Sequence, residues 1–168
     1  HPVNCRTRGD VETLAATFET LLRTDANGVL GPNLVEKWVG VDGGRVFRLA
    51  LRDDVRTHDG RPVTAEVARQ SFELAIRACE RDLPLAFAHL AGVEDYRCEQ
   101  DERLRALSAD GLELTCRFEQ PLPIFPALLS DVRTALAIPA ENAGGELVGT
   151  GPFSIRSFGQ DRVTLARN

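Results

Sequence analysis

A strand followed by a tight turn gives the clearest local pattern in the chain. Residues 45–52 alternate between apolar and polar or small side chains, with Phe47, Leu49 and Leu51 on the apolar side, which is the period of a half-buried strand. The sequence His-Asp-Gly follows at residues 58–60. Aspartate bonds the backbone ahead of it and glycine tolerates positive φ, so the chain is expected to reverse there.

The turn leads into an amphipathic helix. Thr64 is a suitable N-cap, because its hydroxyl accepts an amide hydrogen of the first helical turn. Residues 65–78 place apolar side chains three and four positions apart, at Ala68, Phe72, Ala75 and Ile76. Such a stripe needs a sheet to cover. Strand and helix together therefore predict an α+β domain.

The rest of the chain alternates between short elements and turn signals. We expect a helix at 11–22, hairpins around the turns at 25–28 and 110–111, a short helix containing residues 125–129, and strands at 134–138, 153–158 and 163–166. Residues 93–103 are strongly charged and predict an exposed connection, and residues 141–146 predict a loop of small residues. The predicted fold is one domain over residues 1–168, with a mixed, largely antiparallel sheet covered by helices.

Composition narrows the class of protein. With 168 residues and 43% hydrophobic content, the chain can bury a core of its own. The net charge is −5, with lysine and arginine scattered along the chain, which argues against nucleic acid as a partner. No apolar run approaches the roughly 20 residues that span a bilayer, so we expect a soluble piece. The sequence contains no methionine, and we expect that it does not start where translation starts.

The four cysteines permit two disulfides in an oxidising compartment but do not require them. Cys116 alternates with apolar residues on a predicted strand and is expected to be a small buried side chain. Cys79 and Cys98 flank the loop after the predicted helix and are one candidate pair, and free thiols at both positions are the alternative. No C-x-x-C pair is present, which argues against a zinc ribbon or a redox dithiol.

The sequence offers little support for enzyme chemistry. It lacks a G-x-S-x-G elbow, and the three histidines have no spacing that would place two of them on one helix face. His58 and Asp59 are adjacent in a turn and are expected to point apart. The Gly-Thr-Gly segment at 149–151 lacks the lysine of a phosphate loop and leads into Pro152. We expect no enzyme activity, metal site or cofactor.

Four segments resemble one known family when they are read in order. They are TFETLLRTDANGVLGPNLVEKW at 17–38, LRDDVRTHDGRPVTAEVARQSF at 51–72, LSADGLELTCRFEQPLPIF at 107–125 and GTGPFSIRSFGQDRVTLARN at 149–168. The sequence is similar to the family 5 extracellular solute-binding proteins, the peptide- and nickel-binding receptors of ABC importers. Members of that family are longer and have two lobes. The resemblance implies the first lobe of a type II periplasmic-binding-protein-like architecture, with the second lobe absent here.

The resemblance also implies a function without covalent chemistry. A peptide or similar small solute would bind in a cleft between this lobe and the second lobe, and the closed form would be presented to the membrane subunits of the importer. The location would be periplasmic or extracellular. This chain alone is expected to bind its ligand weakly or not at all, since much of the ligand-binding set would lie in the second lobe.

Candidate ligand contacts follow from the same resemblance. In the family, the segment before the first helix passes along the cleft, which makes Arg6, Thr7 and Arg8 candidates, with a solvated tail as the alternative. The loop after the main helix adds Leu85 and Phe87, which could equally cap the local core. Thr150 and Gly151 of the GTGP segment complete the set. Glu19 occupies the position of a family glutamate.

Two other functions fit the sequence. The same domain could be an intracellular ligand sensor fused to a transcription regulator or kinase, in which case the location would be cytoplasmic. It could also be a structural or protein-interaction domain that has kept the fold and lost the pocket. The sequence on either side of the chain would separate these readings.

Overall fold

The structure is a computed structural model, and it describes residues 1–98, 102–141, 146–158 and 163–168. The helices are α1 (Arg8–Thr17), α2 (Ala65–Ala78), α3 (Leu85–Ala88), α4 (Val93–Arg97) and α5 (Phe125–Leu128). The strands are β1 (Leu22–Thr24), β2 (Leu30–Pro32), β3 (Val35–Val41), β4 (Val46–Leu51), β5 (Leu107–Asp110), β6 (Glu113–Arg117), β7 (Ile138–Pro139), β8 (Leu147–Val148), β9 (Phe153–Phe158) and β10 (Val163–Arg167). Short 3-10 turns lie at Pro2–Asn4, Asp42–Gly44 and Val132–Thr134.

A four-stranded antiparallel sheet forms the centre of the fold, in the order β3-β4-β6-β5. Phe47 of β4 pairs with Cys116 of β6, and Leu49 pairs with Leu114. All four side chains are buried, because alternate residues of adjacent strands point to the same face. The predicted strand at 45–52 and the hairpin around 110–111 are confirmed, and Cys116 is the buried residue that was expected.

Helix α2 covers the apolar face of this sheet. The Thr64 hydroxyl accepts a hydrogen bond from the Val67 amide, and the helix has the predicted bounds of 65–78. Phe72 is buried and its ring lies 4.9 Å from that of Phe87 on α3. The helix therefore connects the sheet to the elements that follow it.

A charged pair is also buried on α2. The guanidinium of Arg69 contacts the carboxylate of Glu73, and these side chains are 7% and 10% exposed. Glu66 binds the same guanidinium at 2.6 Å. Glu73 in addition accepts the backbone amide of Leu104 at 3.0 Å, so it holds the segment before β5 against the helix.

Three predicted elements differ from the structure. The helix predicted at 11–22 spans Arg8–Thr17, because Phe18 leaves helical geometry and Leu22 enters β1, which pairs with β2. The strand predicted at 134–138 is buried throughout, but only its last residue lies in a strand, β7. The expected exposed connection at 93–103 contains helix α4, which buries Val93 and Tyr96. The first two wrong predictions share one cause, since apolar spacing alone does not show where backbone pairing begins. The third was made from the charge of the segment and overlooked Val93 and Tyr96, which are spaced to share one face of a helix.

The structure confirms the other hairpin and strand predictions that fall on described residues. The hairpin at 25–28 is confirmed by the β1–β2 pair, and the predicted strands at 153–158 and 163–166 form the antiparallel β9–β10 pair. Most of the loop predicted at 141–146 lies outside the described residues, as do residues 99–101. All four cysteines are free thiols in the structure, including Cys79 and Cys98. The fold is α+β with antiparallel sheets, and no helix in the described ranges is long and apolar enough to cross a membrane.

Candidate functional site

Three predicted ligand contacts, Arg6, Thr7 and Arg8, lie at the start of α1. Thr7 is the N-cap of the helix: its hydroxyl accepts the Asp10 amide at 3.1 Å, and the Asp10 carboxylate accepts the Thr7 amide at 2.8 Å. The Arg6 amide donates to the same carboxylate at 3.0 Å. These hydrogen bonds, led by the two backbone amides, hold the pKa of Asp10 below its ordinary value. The capping box fixes the direction in which the segment enters the helix.

Both arginines of the segment are exposed and carry ion pairs. Arg6 binds Glu80 at 2.6 Å, and Arg8 binds Glu12 at 3.1 Å. The Arg8 side chain is 93% exposed. Because exposed ion pairs are worth only about 0–1 kcal/mol, a carboxylate arriving from solvent could replace either partner at little cost.

The Gly-Thr-Gly segment lies at the other end of α1. The Gly151 amide donates to the Thr17 carbonyl at 3.0 Å. A methyl group on Gly149 would lie 2.3 Å from the Thr17 carbonyl oxygen, and one on Gly151 would lie 2.6 Å from the Ala16 carbonyl oxygen. Both glycines are therefore explained by close packing against the last turn of the helix.

His58 fastens the same segment from the opposite side. The Gly149 amide donates to His58 Nδ1 at 3.3 Å, and His58 Nε2 lies 3.0 Å from the Gly151 carbonyl oxygen. Since Nδ1 accepts, Nε2 carries the proton and donates. The His58 amide also donates to the Gly149 carbonyl at 2.9 Å. The His-Asp-Gly turn at 58–60 is thus a corner that binds a distant segment, since His58 and Gly149 are 91 positions apart in the sequence.

The two predicted ligand contacts of this segment, Thr150 and Gly151, differ in whether their polar groups already have hydrogen-bond partners. The backbone groups of Gly151 are already bonded, to Thr17 through the amide and to His58 through the carbonyl. The hydroxyl oxygen of Thr150 is buried and has no hydrogen-bond partner among the described residues. An orphan buried hydroxyl costs about 1–3 kcal/mol. Thr150 therefore retains an unused polar group, whereas Gly151 does not.

The other two candidates lie elsewhere in the fold. Phe87 on α3 is completely buried, at 0% exposure, whereas Leu85 is 43% exposed. Phe87 contacts Phe72 of α2. The structure places neither of them with the N-terminal candidates along α1, and Phe87 sits in the core.

One open groove follows α1 along its length. It consists of two depressions of about 390 Å³ and about 420 Å³ that share Val11 and Val132. We call it the α1 groove. Its first end is lined by Cys5, Arg6, Thr7, Arg8, Asp131 and Arg133, and its second end by Ala15, Phe18, Glu19, Thr20, Asn33, Ser130 and Pro152. The groove connects the N-terminal candidates to Pro152, the residue after the Gly-Thr-Gly segment.

The two ends of the α1 groove differ in charge. At the first end, Arg133 binds Asp131 at 2.7 Å. Partial burial opposes the ionisation of Asp131, but the hydrogen bonds from Arg133 outweigh it and lower the pKa of that carboxyl. At the second end, the Glu19 carboxylate has no hydrogen bond or ion pair among the described residues. The groove thus offers guanidinium groups at one end. At the other end it offers a carboxylate that makes no hydrogen bond or ion pair within the described residues and whose charge acts on Arg52.

Several groove residues were not predicted from the sequence. Asp131, Arg133 and Val132 lie far from the N-terminal segment in the sequence, and no local motif marks them. Their signal is tertiary: the 3-10 turn at Val132–Thr134 packs beside the turn at Pro2–Asn4. In the described ranges, no three histidine, cysteine or acidic side chains gather in a way that could hold a metal ion. The groove presents charged and polar groups together with the apolar side chains of Val11 and Val132.

Sequence comparisons identify relatives of the chain. The chain is 28% identical to the periplasmic oligopeptide-binding protein OppA of Escherichia coli (strain K12) over 167 residues, which is 90% of this chain and 30% of that protein. It is 26% identical to the nickel-binding periplasmic protein of the same organism over 151 residues, which is 83% of this chain and 26% of that protein. The chain thus spans less than a third of the length of these relatives.

The fold is shared with a solved structure of the periplasmic murein tripeptide binding protein MppA in its unliganded open form. The TM-score is 0.81 at 21% sequence identity, covering 99% of this chain and 35% of that chain. The sequence profile of the bacterial extracellular solute-binding proteins, family 5 Middle, matches residues 29–168. This profile covers most of the chain, so the chain belongs to the family 5 bacterial extracellular solute-binding proteins.

Proposed function

We propose that this chain is the ligand-binding, non-catalytic part of a receptor that delivers oligopeptides or similar small solutes to an ABC importer. Family membership supports this class, and relatives of the chain are named for binding oligopeptides, murein peptides and nickel. Several of them are periplasmic by name. A periplasmic or extracellular location, with importer membrane subunits as partners, follows from the same proposal.

The α1 groove is the observation on which the proposal depends. Helix α1 has ten residues, which gives the groove a length of about 15 Å at 1.5 Å per residue. An extended peptide advances about 3.3 Å per residue. The groove therefore accommodates about four residues of an extended peptide, with Val11 and Val132 along its floor.

The charges at the two ends favour one direction for the peptide. The Glu19 carboxylate makes no hydrogen bond or ion pair within the described structure, its charge acts on Arg52 only through space, and it is suited to the ammonium group of a peptide. Arg6 and Arg8 are held only by exposed ion pairs and are suited to its carboxylate. We propose that the peptide lies with its amino terminus near Glu19 and its carboxyl terminus near the start of α1.

The rest of the receptor completes the site in this proposal. An open groove on one surface leaves half of a ligand in water, and tight binding of small ligands usually buries most of their surface. A second lobe that closes over the groove would supply the missing contacts. Leu85, being exposed, would meet the ligand or the second lobe. The unpartnered Thr150 hydroxyl is buried and would bond either one only after the Gly-Thr-Gly segment shifts.

Calorimetry with the complete receptor tests the orientation. A tetrapeptide and its N-acetylated form are titrated into wild type, Glu19→Gln and a control, Glu113→Gln, in which the altered carboxylate lies on β6 away from the groove. A hydrogen bond to a charged group is worth about 1.5–3 kcal/mol, so Glu19→Gln should weaken the free peptide roughly 10- to 100-fold. The acetylated peptide should be insensitive to the change. Equal affinities for Glu19→Gln and wild type would refute the orientation.

A further inference from the structure

Two cysteines that are distant in sequence are brought together beside the α1 groove. Cys5 lies in the short connection between the turn at Pro2–Asn4 and α1, and Cys79 is the residue directly after α2. The Asn4 side-chain amide donates to the Ala78 carbonyl at 2.9 Å, and its carbonyl accepts the Glu80 amide at 3.1 Å. Asn4 therefore bonds the peptide groups on both sides of Cys79.

The residue after Cys5 makes a matching contact. Arg6 binds the Glu80 carboxylate at 2.6 Å. The two neighbours of Cys5 are thus bonded to the two neighbours of Cys79. Both cysteines also line one depression of about 400 Å³, together with Arg133.

We propose that Cys5 and Cys79 form a disulfide that fastens the N-terminal segment to the end of α2. The oxidant is a small-molecule or protein disulfide. The Cys5 thiolate attacks one oxidant sulfur and releases the other as a thiolate, and the Cys79 thiolate then attacks the Cys5 sulfur and releases the second. The pair loses two electrons and two protons, and the oxidant is reduced to two thiols.

The local backbone favours this pairing. Cys5 is in non-helical conformation, as is Cys79, so neither residue is held in the interior of a helix. The Cys79 sulfur lies 3.4 Å from the Arg81 carbonyl oxygen, a weak contact that a side-chain rotation breaks. Of the other cysteines, Cys116 is completely buried within the sheet, whereas Cys98 is exposed after α4. Cys98 is therefore the main competitor.

The bond would have a direct consequence for the receptor. It would close a long loop that contains α1, α2 and two of the four strands of the central sheet, β3 and β4, and loop closure restricts the unfolded chain. It would also fix Arg6, Thr7 and Arg8 at the first end of the α1 groove. The proposal itself depends only on the contacts around the two cysteines and does not require that the groove binds peptides.

The test uses the reduced 168-residue chain in a buffer of oxidised and reduced glutathione. After alkylation and tryptic digestion, we expect a product that joins residues 1–6 to residues 78–81, lighter than the two separate peptides by the mass of two hydrogens. Two thiols should remain for alkylation in denaturant. Oxidation should raise the thermal midpoint by about 5–10 °C.

Two variants make the result specific. Cys98→Ser should keep both the linked peptide and the thermal shift, and Cys5→Ser should abolish both. Four alkylated thiols in the oxidised sample would overturn the proposal. A linkage through Cys98 in the wild-type chain would overturn it as well.

Discussion

Because the Gly-Thr-Gly segment packs against the last turn of α1, replacing glycine by alanine should have opposite effects on stability at Gly151 and at Gly9. Gly151 contacts the end of the helix, and Gly9 lies in its first turn. At Gly151, an alanine methyl would lie 2.6 Å from the Ala16 carbonyl oxygen and 2.7 Å from the Thr17 carbonyl carbon. These are backbone atoms, which cannot rotate away as a side chain does. At Gly9, in the first turn of α1, the nearest atom to such a methyl is Thr7 Oγ1 at 3.8 Å, so that site has room.

The contacts set the size of each effect. Forcing a methyl into the packed site at Gly151 costs about 1–3 kcal/mol. The segment must also move away from the helix, which stretches the hydrogen bond from the Gly151 amide to Thr17 and costs about 1 kcal/mol more. We expect Gly151→Ala to lower the free energy of unfolding by about 2–4 kcal/mol. Gly9→Ala should raise it by about 0.4–1 kcal/mol, because alanine restricts the unfolded chain.

Urea unfolding monitored by circular dichroism and by the fluorescence of Trp38, the sole tryptophan, measures both changes. Gly149→Ala should behave as Gly151→Ala does, since its methyl would lie 2.3 Å from the Thr17 carbonyl oxygen. If Gly151→Ala were as stable as wild type, the segment would not be docked on α1, and the His58 corner would have no partner. If Gly9→Ala lowered the free energy of unfolding as much as Gly151→Ala does, the loss would come from changes within α1 and not from the segment that packs against it.

Three further predictions concern stability. Thr7→Ala removes the N-cap of α1 and should lower the free energy of unfolding by about 1 kcal/mol, measured by urea unfolding. Glu73→Ala leaves Arg69 paired only with the partly exposed Glu66, and it leaves the Leu104 amide without an acceptor. It should lower the free energy of unfolding by about 3 kcal/mol in the same assay. For Asp59, partial burial opposes ionisation, but hydrogen bonds from the Arg61 and Thr57 side chains outweigh it and lower the pKa to about 2 from 3.8. The stability that this carboxylate contributes is therefore present above pH 3.8 and lost as the pH falls towards 2, and Asp59→Asn should flatten the stability profile over that interval.

A control variant and two contrary outcomes test the predictions for Glu73 and Asp59. Glu12→Ala removes an exposed ion pair with Arg8 and should change stability by less than about 0.5 kcal/mol, in contrast to Glu73→Ala. Similar losses for the two variants would contradict the role given to the buried pair. An unchanged acid profile in Asp59→Asn would show that other carboxylates are responsible for the loss of stability.

Local sequence signals were sufficient where an element is determined by its own residues. The cap at Thr64 and the apolar spacing that follows it gave the bounds of α2, and the Asp-Gly pair at 110–111 gave the β5–β6 hairpin. The N-terminus of α1 also had a signal that was missed. Thr7 and Asp10 have the spacing of a capping box, which places the start of the helix three residues before the one predicted.

The site depends on contacts that no local signal shows. The glycines at 149 and 151 are required because they approach Thr17 closely, more than 130 positions earlier in the numbering. The groove likewise takes one side from α1 and the other from residues 130–133. Family resemblance pointed to Arg6, Thr7 and Arg8, but only the structure shows which of their groups are already bonded.

The most direct test of the account compares peptide binding by the isolated 168-residue chain and by the complete receptor, in the same calorimeter with the same oligopeptides. If the α1 groove is one side of a ligand cleft that a second lobe must close, the complete receptor should bind with micromolar or tighter affinity, and the isolated chain should show no measurable heat of binding. Micromolar affinity of the isolated chain, or a complete receptor without a second lobe, would contradict the account.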